Sequence, residues 1–456
     1  MPEPGSGVPR RLLTGWGRTA PTAADVVTAE RVDDIDDALA TAGRRGTIAR
    51  GLGRSYGDAA QNAGGSVLDA TQLDRVLDVD FERGVLRVEA GVSLDALMRM
   101  LLPRGWFVPV SPGTRFVTVG GALAADIHGK NHHVEGSFAN HVQSATLHTP
   151  KGIQQISPDC DPELFWATAG GMGLTGILSE VTMRLLPVET VFMRVDTERA
   201  RNLDDVMERM RTGDADYRYS GAWIDCMARG AALGRSVLFR GDHATLDELP
   251  PRKKAHARRF KPHTLLTAPW MPDGLALNRF TVTAFNEVFF RAAPREERGR
   301  IQAIAPFVHP LDWVSGWNRV YGSRGFVQYQ YVVPEEADDT VRRSLELLSD
   351  ARCASFFAVL KRFGAANPGL LSFPTPGWTL ALDIPTAVHG LAPLLDRLDE
   401  LVAEAGGRVY LAKDARLRPE LLPVMYPKLE ELREVRKRID PTGVLQSDLA
   451  RRLRLA

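Results

Sequence analysis

The sequence predicts an α+β fold of two domains, in which a long insert interrupts the first domain and the C-terminus returns to complete it. Three observations point there. Residues 1–190 alternate short strand and helix patterns with glycine loops. Around Pro187 the texture changes: from about 191 to 407 glycine thins and aromatic residues become frequent, with Trp223, Trp270, Trp313, Trp317 and Trp378 inside that stretch and Trp166 just before it. After Gly406-Gly407 a short strand pattern, Arg408 to Leu411, leads into Lys413-Asp414 and a charged helical segment. The boundaries are therefore 1–190 with 408–456 for the outer domain and 191–407 for the insert, within the two to four domains that 456 residues allow.

The elements follow from local pattern. Thr47 to Ala49 is a short strand entering Gly51-Leu52-Gly53-Arg54-Ser55-Tyr56-Gly57-Asp58. Val85, Arg87 and Glu89 alternate with Leu86, Val88 and Ala90, which is strand period. Ser93 is an N-cap candidate for a helix with Leu94, Leu97, Met98 and Leu101 on one face. Pro112-Gly113-Thr114 and Val119-Gly120-Gly121 read as a second glycine loop. Asp161 to Ala169 reads as a short helix and Gly176 to Leu186 as a strand. Within the insert, Asn202 to Thr212 and Glu335 to Asp350 read as helices, and Gly325 to Val333 and Gly377 to Ile384 as strands. Leu391, Leu394, Leu395, Leu398, Leu401 and Val402 mark an amphipathic helix.

Composition excludes several classes. Hydrophobic residues at 44% and charged residues at 25% rule out a disordered, collagenous or coiled-coil chain. Lys and Arg total 57 against 56 Asp and Glu, so nothing favours wholesale nucleic-acid binding. Cys160, Cys226 and Cys353 are far apart and form no CxxC pair, which argues against a zinc site or a disulfide framework and fits a reducing compartment or indifference to redox state. No run reaches the roughly 18 apolar residues of a bilayer span. Met1 to Arg11 lacks the apolar centre of a secretory leader.

Gly171-Met172-Gly173-Leu174-Thr175-Gly176 matches GxGxxG, but a helical segment precedes it and a strand follows, the reverse of the dinucleotide fingerprint. Gly51 to Asp58 is the better anion site. Its glycines let backbone N–H groups turn inward, Arg50 and Arg54 add charge, and Ser55 adds a hydroxyl. A tight turn that binds nothing is the plain alternative. The small-residue surface Ser111 to Thr114 and Thr118 to Asp126 shifts the reading toward a large flat cofactor lying along the backbone.

Asp126-Ile127-His128-Gly129-Lys130-Asn131-His132-His133 is the densest cluster of reactive side chains. His128 and His132 would share a helical face, but Gly129 weakens a helix and no HExxH glutamate accompanies them, so no metal is expected. Two readings stay open: a cofactor loop in which His128 or Lys130 polarises reacting groups, or a structural loop whose histidines satisfy carbonyls.

Taken together, Arg50 to Asp58, Pro112-Gly113-Thr114, Val119-Gly120-Gly121, Asp126 to His133 and Glu163-Leu164-Phe165-Trp166-Ala167-Thr168 resemble the vanillyl-alcohol-oxidase class of FAD-linked oxidases. Leu13 to Pro21, Trp317-Asn318-Arg319, Gln328-Tyr329-Gln330, Leu371 to Pro374, Pro376-Gly377-Trp378 and Ala412-Lys413-Asp414 narrow the resemblance to the decaprenylphosphoryl-β-D-ribose 2-oxidase family. These segments span nearly the whole chain.

The resemblance implies a FAD-binding domain in 1–190 and 408–456 and a substrate-binding domain built on an antiparallel sheet in 191–407. It implies oxidation of the ribose 2-hydroxyl of a polyprenylphosphoryl ribose to the ketone, the first half of an epimerisation that supplies cell-wall arabinan. FAD would be held by Arg50, Gly51, Leu52, Gly53, Arg54, Ser55, Tyr56, Gly113, Thr114, Thr118, Gly120, Gly121, Ala124, Ile127, His128, Asn131, Gly173, Thr175, Gly176, Ile177 and Lys413. The pyrophosphate would lie on Gly51 to Tyr56, and the adenine side near Gly113, Thr118, Gly121 and Ile177. Related oxidases often tether FAD through a histidine in the first loop; this loop has none, so FAD is expected to be non-covalent.

Lys413, Tyr56 and His128 are the implied catalytic residues. Lys413 either takes the hydroxyl proton, with burial lowering its pKa from about 10.4, or stays charged and holds reduced flavin or phosphate. Trp223, Arg319, Gln328, Gln330, Lys361, Thr379 and Ala381 are implied at the substrate. Thr379 and Ala381 replace an amide and a cysteine of the mycobacterial members, so no thiol is required at that position.

The implied partners are an NAD-dependent keto reductase and the membrane surface, with a peripheral cytoplasmic location, or alternatively a periplasmic one. Arg252, Lys253, Lys254, Arg258, Arg259 and Lys261 form a basic run without an acid, followed by Leu265, Leu266, Trp270 and Met271. The stretch 250–278 is either a solvated loop or a mobile lid on anionic headgroups. The alternative activities are oxidation of free alditols, sugars or aldonolactones, or a non-enzymatic FAD-retaining scaffold.

Overall fold

Two sheets form the first domain. In the smaller, the strands run in the order Arg10–Leu13, Thr22–Thr28, Ser66–Asp69, Thr47–Arg50, the last three parallel. The larger is antiparallel, in the order Val76–Asp80, Val85–Glu89, Ile177–Arg184, Val142–Thr149, Gly152–Ile156. The computed structural model describes residues 8–262, 264, 266–353 and 355–455. The readings of residues 1–7 and of Leu265 lie outside them.

The alternation in Val85–Glu89 does what its period requires. Leu86 and Val88 turn into the core, while Arg87 pairs across the strands with Glu180. The helix Leu94–Leu101 starts where Ser93 accepts a hydrogen bond from the Ala96 amide, and it buries Leu94, Leu97, Met98 and Leu101. Val119-Gly120-Gly121, a glycine loop on sequence grounds, instead opens a short helix, Val119–Ala124, capped by Thr118 Oγ1 on the Gly121 amide. Glycine disfavours a helix by about 1 kcal/mol per residue. Here a Cβ on Gly120 would run into Ala90, so only glycine lets the helix lie against that chain.

The insert is an eight-stranded antiparallel sheet: Glu296–Ala303, Phe192–Ala200, Ser236–His243, Tyr219–Ile224, Ala358–Phe363, Gly377–Pro385, Phe326–Val333 and Arg408–Val409. Every residue of Gly377–Pro385 is buried, as a strand covered on both faces requires. Its register places Gln328 opposite Asp383 and Gln330 opposite Ala381. The helices Leu203–Gly213, Asp339–Asp350 and Leu391–Glu404 cover the sheet with apolar faces. Arg408–Val409, read as the start of the C-terminal return, is the eighth strand of the insert sheet.

Beyond it the chain crosses back. Leu445 bridges Thr47 in parallel. The buried Arg436 guanidinium donates to the carbonyls of Leu174, Leu445 and Leu455. Arg452 grips Asp58 through both carboxylate oxygens, at 2.9 and 2.8 Å. The basic run lies at the sheet's outer edge. Pro251–Lys254 is a short helix, Lys253 donates to the Ile301 carbonyl, and the Ala257 carbonyl accepts from the Val191 amide.

Candidate active site

Between the domains a cleft encloses about 1690 Å³ out to its mouth. Its floor is backbone and small side chains of the first domain: Arg50 to Tyr56, Pro112 to Thr114, Thr118 to Ile127, and Met172 with Gly173 and Gly176. Its roof comes from the insert sheet through Gln328, Phe357 and Lys361, and the return segment closes it with Tyr410, Ala412 and Lys413.

The floor fits a pyrophosphate. Among the described residues, the amides of Leu52, Gly53, Arg54 and Ser55 meet no protein acceptor. Gly53 sits at φ +63°, a left-handed turn that glycine takes without strain. A Cβ on Gly51 would collide with Thr118, so the two glycine segments meet as closely as backbone allows. A Cβ on Gly113 would meet nothing within 4 Å, because the cleft opens there.

Both arginines of the loop line the cleft, and each is also tied to protein. Arg50 donates to the carbonyls of Thr14, at 2.7 Å, and Ala60, at 2.9 Å, so its guanidinium pins the loop. Arg54 stacks 3.8 Å from the Trp16 ring centroid.

The roof is ionisable. Burial lowers Lys413 to about 8, with Asp383 the opposing charge. Burial lowers Lys361 to about 7, helped by Lys413 and then Lys130. Burial raises Asp383 to about 7 against the pull of Gln328, Lys413 and Tyr321. His128 is held far below the usual imidazole range, first by burial and then by Lys361 and Lys413, so it is neutral. Tyr56 is pushed well up by burial and then by Asp383, and its ring lies 5.6 Å from Lys413 Nζ.

The predicted residues separate into two groups. Arg50 to Tyr56, Gly113, Thr114, Thr118, Gly120, Gly121, Ala124, Ile127, His128, Gly173, Gly176, Gln328, Lys361 and Lys413 line the cleft. The others stand apart from its lining. Asn131 donates to the Pro109 carbonyl, and Thr175 pairs with Thr168 inside the core. Ile177 belongs to the small core around Leu445. Trp223 donates to the Phe356 carbonyl and packs on Phe289. Arg319 reaches the Ala268 carbonyl and faces Trp270.

Gln330 sits behind His128, 3.1 Å from its Nε2, and donates to Thr379 Oγ1 at 3.0 Å. Ala381, opposite Gln330, is buried. These residues support the wall from behind.

Sequence reasoning missed Asp383, Tyr321, Phe357 and Tyr410. Tyr410 donates to the Ala125 carbonyl at 2.7 Å and stacks on Phe373, with centroids 4.6 Å apart. Asp383 had one available signal, a carboxylate inside a strand otherwise apolar enough to be fully buried. A row of free amides, neutral His128 and amines of lowered proton affinity suit a bound anion beside a group that must lose a proton.

Known proteins resemble the chain along its length. Residues 23–157 match the FAD binding domain family, and residues 384–453 match the D-arabinono-1,4-lactone oxidase family. The decaprenylphosphoryl-beta-D-ribose oxidase of Mycolicibacterium smegmatis is 45% identical over 452 residues, 98% of each chain. An uncharacterized protein from the mprA 5' region of Streptomyces coelicolor is 42% identical over 372 residues, covering 80% of this chain and 100% of its own. The L-gulono-1,4-lactone dehydrogenase of Mycobacterium tuberculosis is 24% identical over 445 residues, 95% of this chain and 96% of its own.

Proposed function

Because the chain belongs to the decaprenylphosphoryl-β-D-ribose oxidase family, we propose that it oxidises the ribose 2-hydroxyl of a polyprenylphosphoryl-β-D-ribose to the 2-ketone. It is an FAD-dependent oxidoreductase. FAD, when bound, supplies the hydride acceptor. The residues suited to hold it are Gly51 to Ser55, whose free amides would cradle the pyrophosphate, and Gly113, Thr118 and Gly121 along the small-residue floor.

The observation that carries the reading is the partly buried Lys413 in the cleft wall, with a pKa of about 8. At neutral pH a useful fraction is free amine, so we assign Lys413 the hydroxyl proton. Gln328 and Lys361 face the same space and suit the sugar hydroxyls and the phosphate. Tyr56 orients the sugar beside Lys413, and His128, kept neutral, presents a dipole without adding charge. The first glycine loop has no histidine, which supports non-covalent flavin; yellow colour remaining on acid-precipitated protein would contradict this.

Anaerobic mixing with polyprenylphosphoryl ribose tests the whole. Bleaching of the flavin by the lipid sugar alone is expected. Bleaching by free alditols or aldonolactones would favour a soluble-substrate oxidase, the reading that the lactone-oxidase match at 384–453 supports. No bleaching at all would favour a flavin-retaining scaffold.

An NAD-dependent keto reductase is the partner that would complete an epimerisation. Peripheral contact with the membrane suits a lipid-linked substrate. No helix among the described residues is long and apolar enough to cross a membrane. The basic run Arg252 to Lys261 is the proposed contact. Sedimentation with anionic vesicles checks it: equal binding by a charge-neutralised 252–261 variant would remove that run from membrane contact.

A further inference from the structure

We infer that Asp383 is the positioning residue for Lys413, the carboxylate that stabilises the ammonium formed when the lysine takes the sugar proton. The inference rests on the assignment of Lys413 as base. Asp383 lies in the middle of Gly377–Pro385, is 0% exposed, and stands in register opposite Gln328 on the neighbouring strand. The Gln328 amide nitrogen donates to one Asp383 oxygen. The other oxygen faces the buried Tyr321 hydroxyl, and neither meets any other donor or acceptor.

A buried carboxylate is held at a large desolvation penalty unless a cation compensates it. Gln328 and Lys413 both line the cleft, so Asp383 sits just behind the wall that presents the lysine.

Other charges lie on neighbouring elements. Lys361 on Ala358–Phe363 is itself lowered by burial, then by Lys413 and by Lys130, which precedes the short helix His132–Glu135. Tyr56 and Tyr321 have their phenols held neutral by Asp383 together with burial. His128 is neutral. Asp383 is thus the carboxylate that draws Lys413 upward against its own burial.

In the step, the proton on the sugar oxygen would pass to the lone pair of Lys413 Nζ, while the hydride on the carbon bearing that oxygen would be taken up by FAD when bound. Asp383 exchanges no atom. From behind the wall it lowers the free energy of the cation through space.

The experiment is a carbon-13 titration of the lysine ε-carbons in the flavin-loaded protein, with the Lys413 signal assigned by its loss in Lys413→Met. In Asp383→Asn the Lys413 midpoint should fall by about one pH unit or more, and Asp383→Glu should restore it. The pH profile of flavin reduction should shift with the midpoint, whereas a merely structural residue would lower the rate without moving the profile. An unmoved midpoint in Asp383→Asn overturns the inference and leaves Lys413 as base intact. A moved midpoint with undiminished flavin reduction by Lys413→Met overturns the base assignment, and with it the catalytic meaning of the pair.

Should Asp383→Asn fail to fold, Lys413→Met supplies the reciprocal measurement. Removing the cation should raise the carboxyl's own titration, read by infrared as a protonated carboxyl band persisting to higher pH. A carboxyl titration unchanged from wild type overturns the inference equally.

Discussion

The two walls of the cleft recognise by opposite means. The floor is mainly backbone: glycine segments with free amides, whose arginines also hold the loop or stack on tryptophan. The roof is side chain: a glutamine and two amines projected from neighbouring strands and the return segment, with an aspartate behind the glutamine. Amide donors on a turn cannot titrate, so the floor binds the same way at any pH. Groups buried beside one another titrate near neutrality, so the roof is where proton chemistry belongs.

The largest test breaks the roof alone. Lys413→Ala should slow flavin reduction by about 1000-fold while flavin stays bound. Undiminished bleaching in stopped flow would take Lys413 out of the chemistry. Next is the joint between the floor and the insert. Asp126 accepts from Ser137 at 2.7 Å, from Asn367 at 2.7 Å, from the Ala139 amide at 3.0 Å and from Ser372. Asp126→Ala orphans these donors and should lower unfolding stability by about 3 kcal/mol, measured by denaturant titration.

The pH test distinguishes the walls directly. Lys413 must be unprotonated to act and is held at about 8. The reduction rate should therefore be full above that pH and fall about tenfold per unit as pH drops below it. Flavin affinity over the same range should stay flat; a parallel loss would mean that the floor titrates too. Breaking the floor calls for Gly53→Val, a β-branched residue at φ +63°. Flavin binding to deflavinated protein should weaken on the order of tenfold in calorimetry, with the bleaching rate of the loaded fraction unchanged. The smallest effect is Ala381→Cys. It lies behind the wall, opposite Gln330, and rates should stay within about twofold of wild type.

The same division explains what could be read in advance. The floor is local in sequence: Gly51 to Tyr56 and Pro112 to Thr114 announce themselves through glycine, because backbone conformation is encoded where it occurs. The insert strands Gly325 to Val333 and Gly377 to Ile384 were legible from their apolar runs, and the structure gives Phe326–Val333 and Gly377–Pro385. Their neighbours Phe192–Ala200 and Ser236–His243 were not read, because charged residues on the open face blur the period.

Asp383 could not be assigned a role from its own surroundings. Its partner Gln328 is 55 residues away and meets it only through sheet register. The helix Val119–Ala124 escaped because its glycines serve packing on Ala90 rather than a turn.

The crossover from Arg408–Val409 in the insert sheet to Leu445 against Thr47 has a consequence for biosynthesis. Thr47 leaves the ribosome early and must wait for a partner almost 400 residues downstream. The insert's seven long strands are complete before that, so the larger sheet can assemble while the outer domain still lacks its last pieces. Lys413 arrives on the closing segment itself. The cleft is therefore complete only once this late segment has been made.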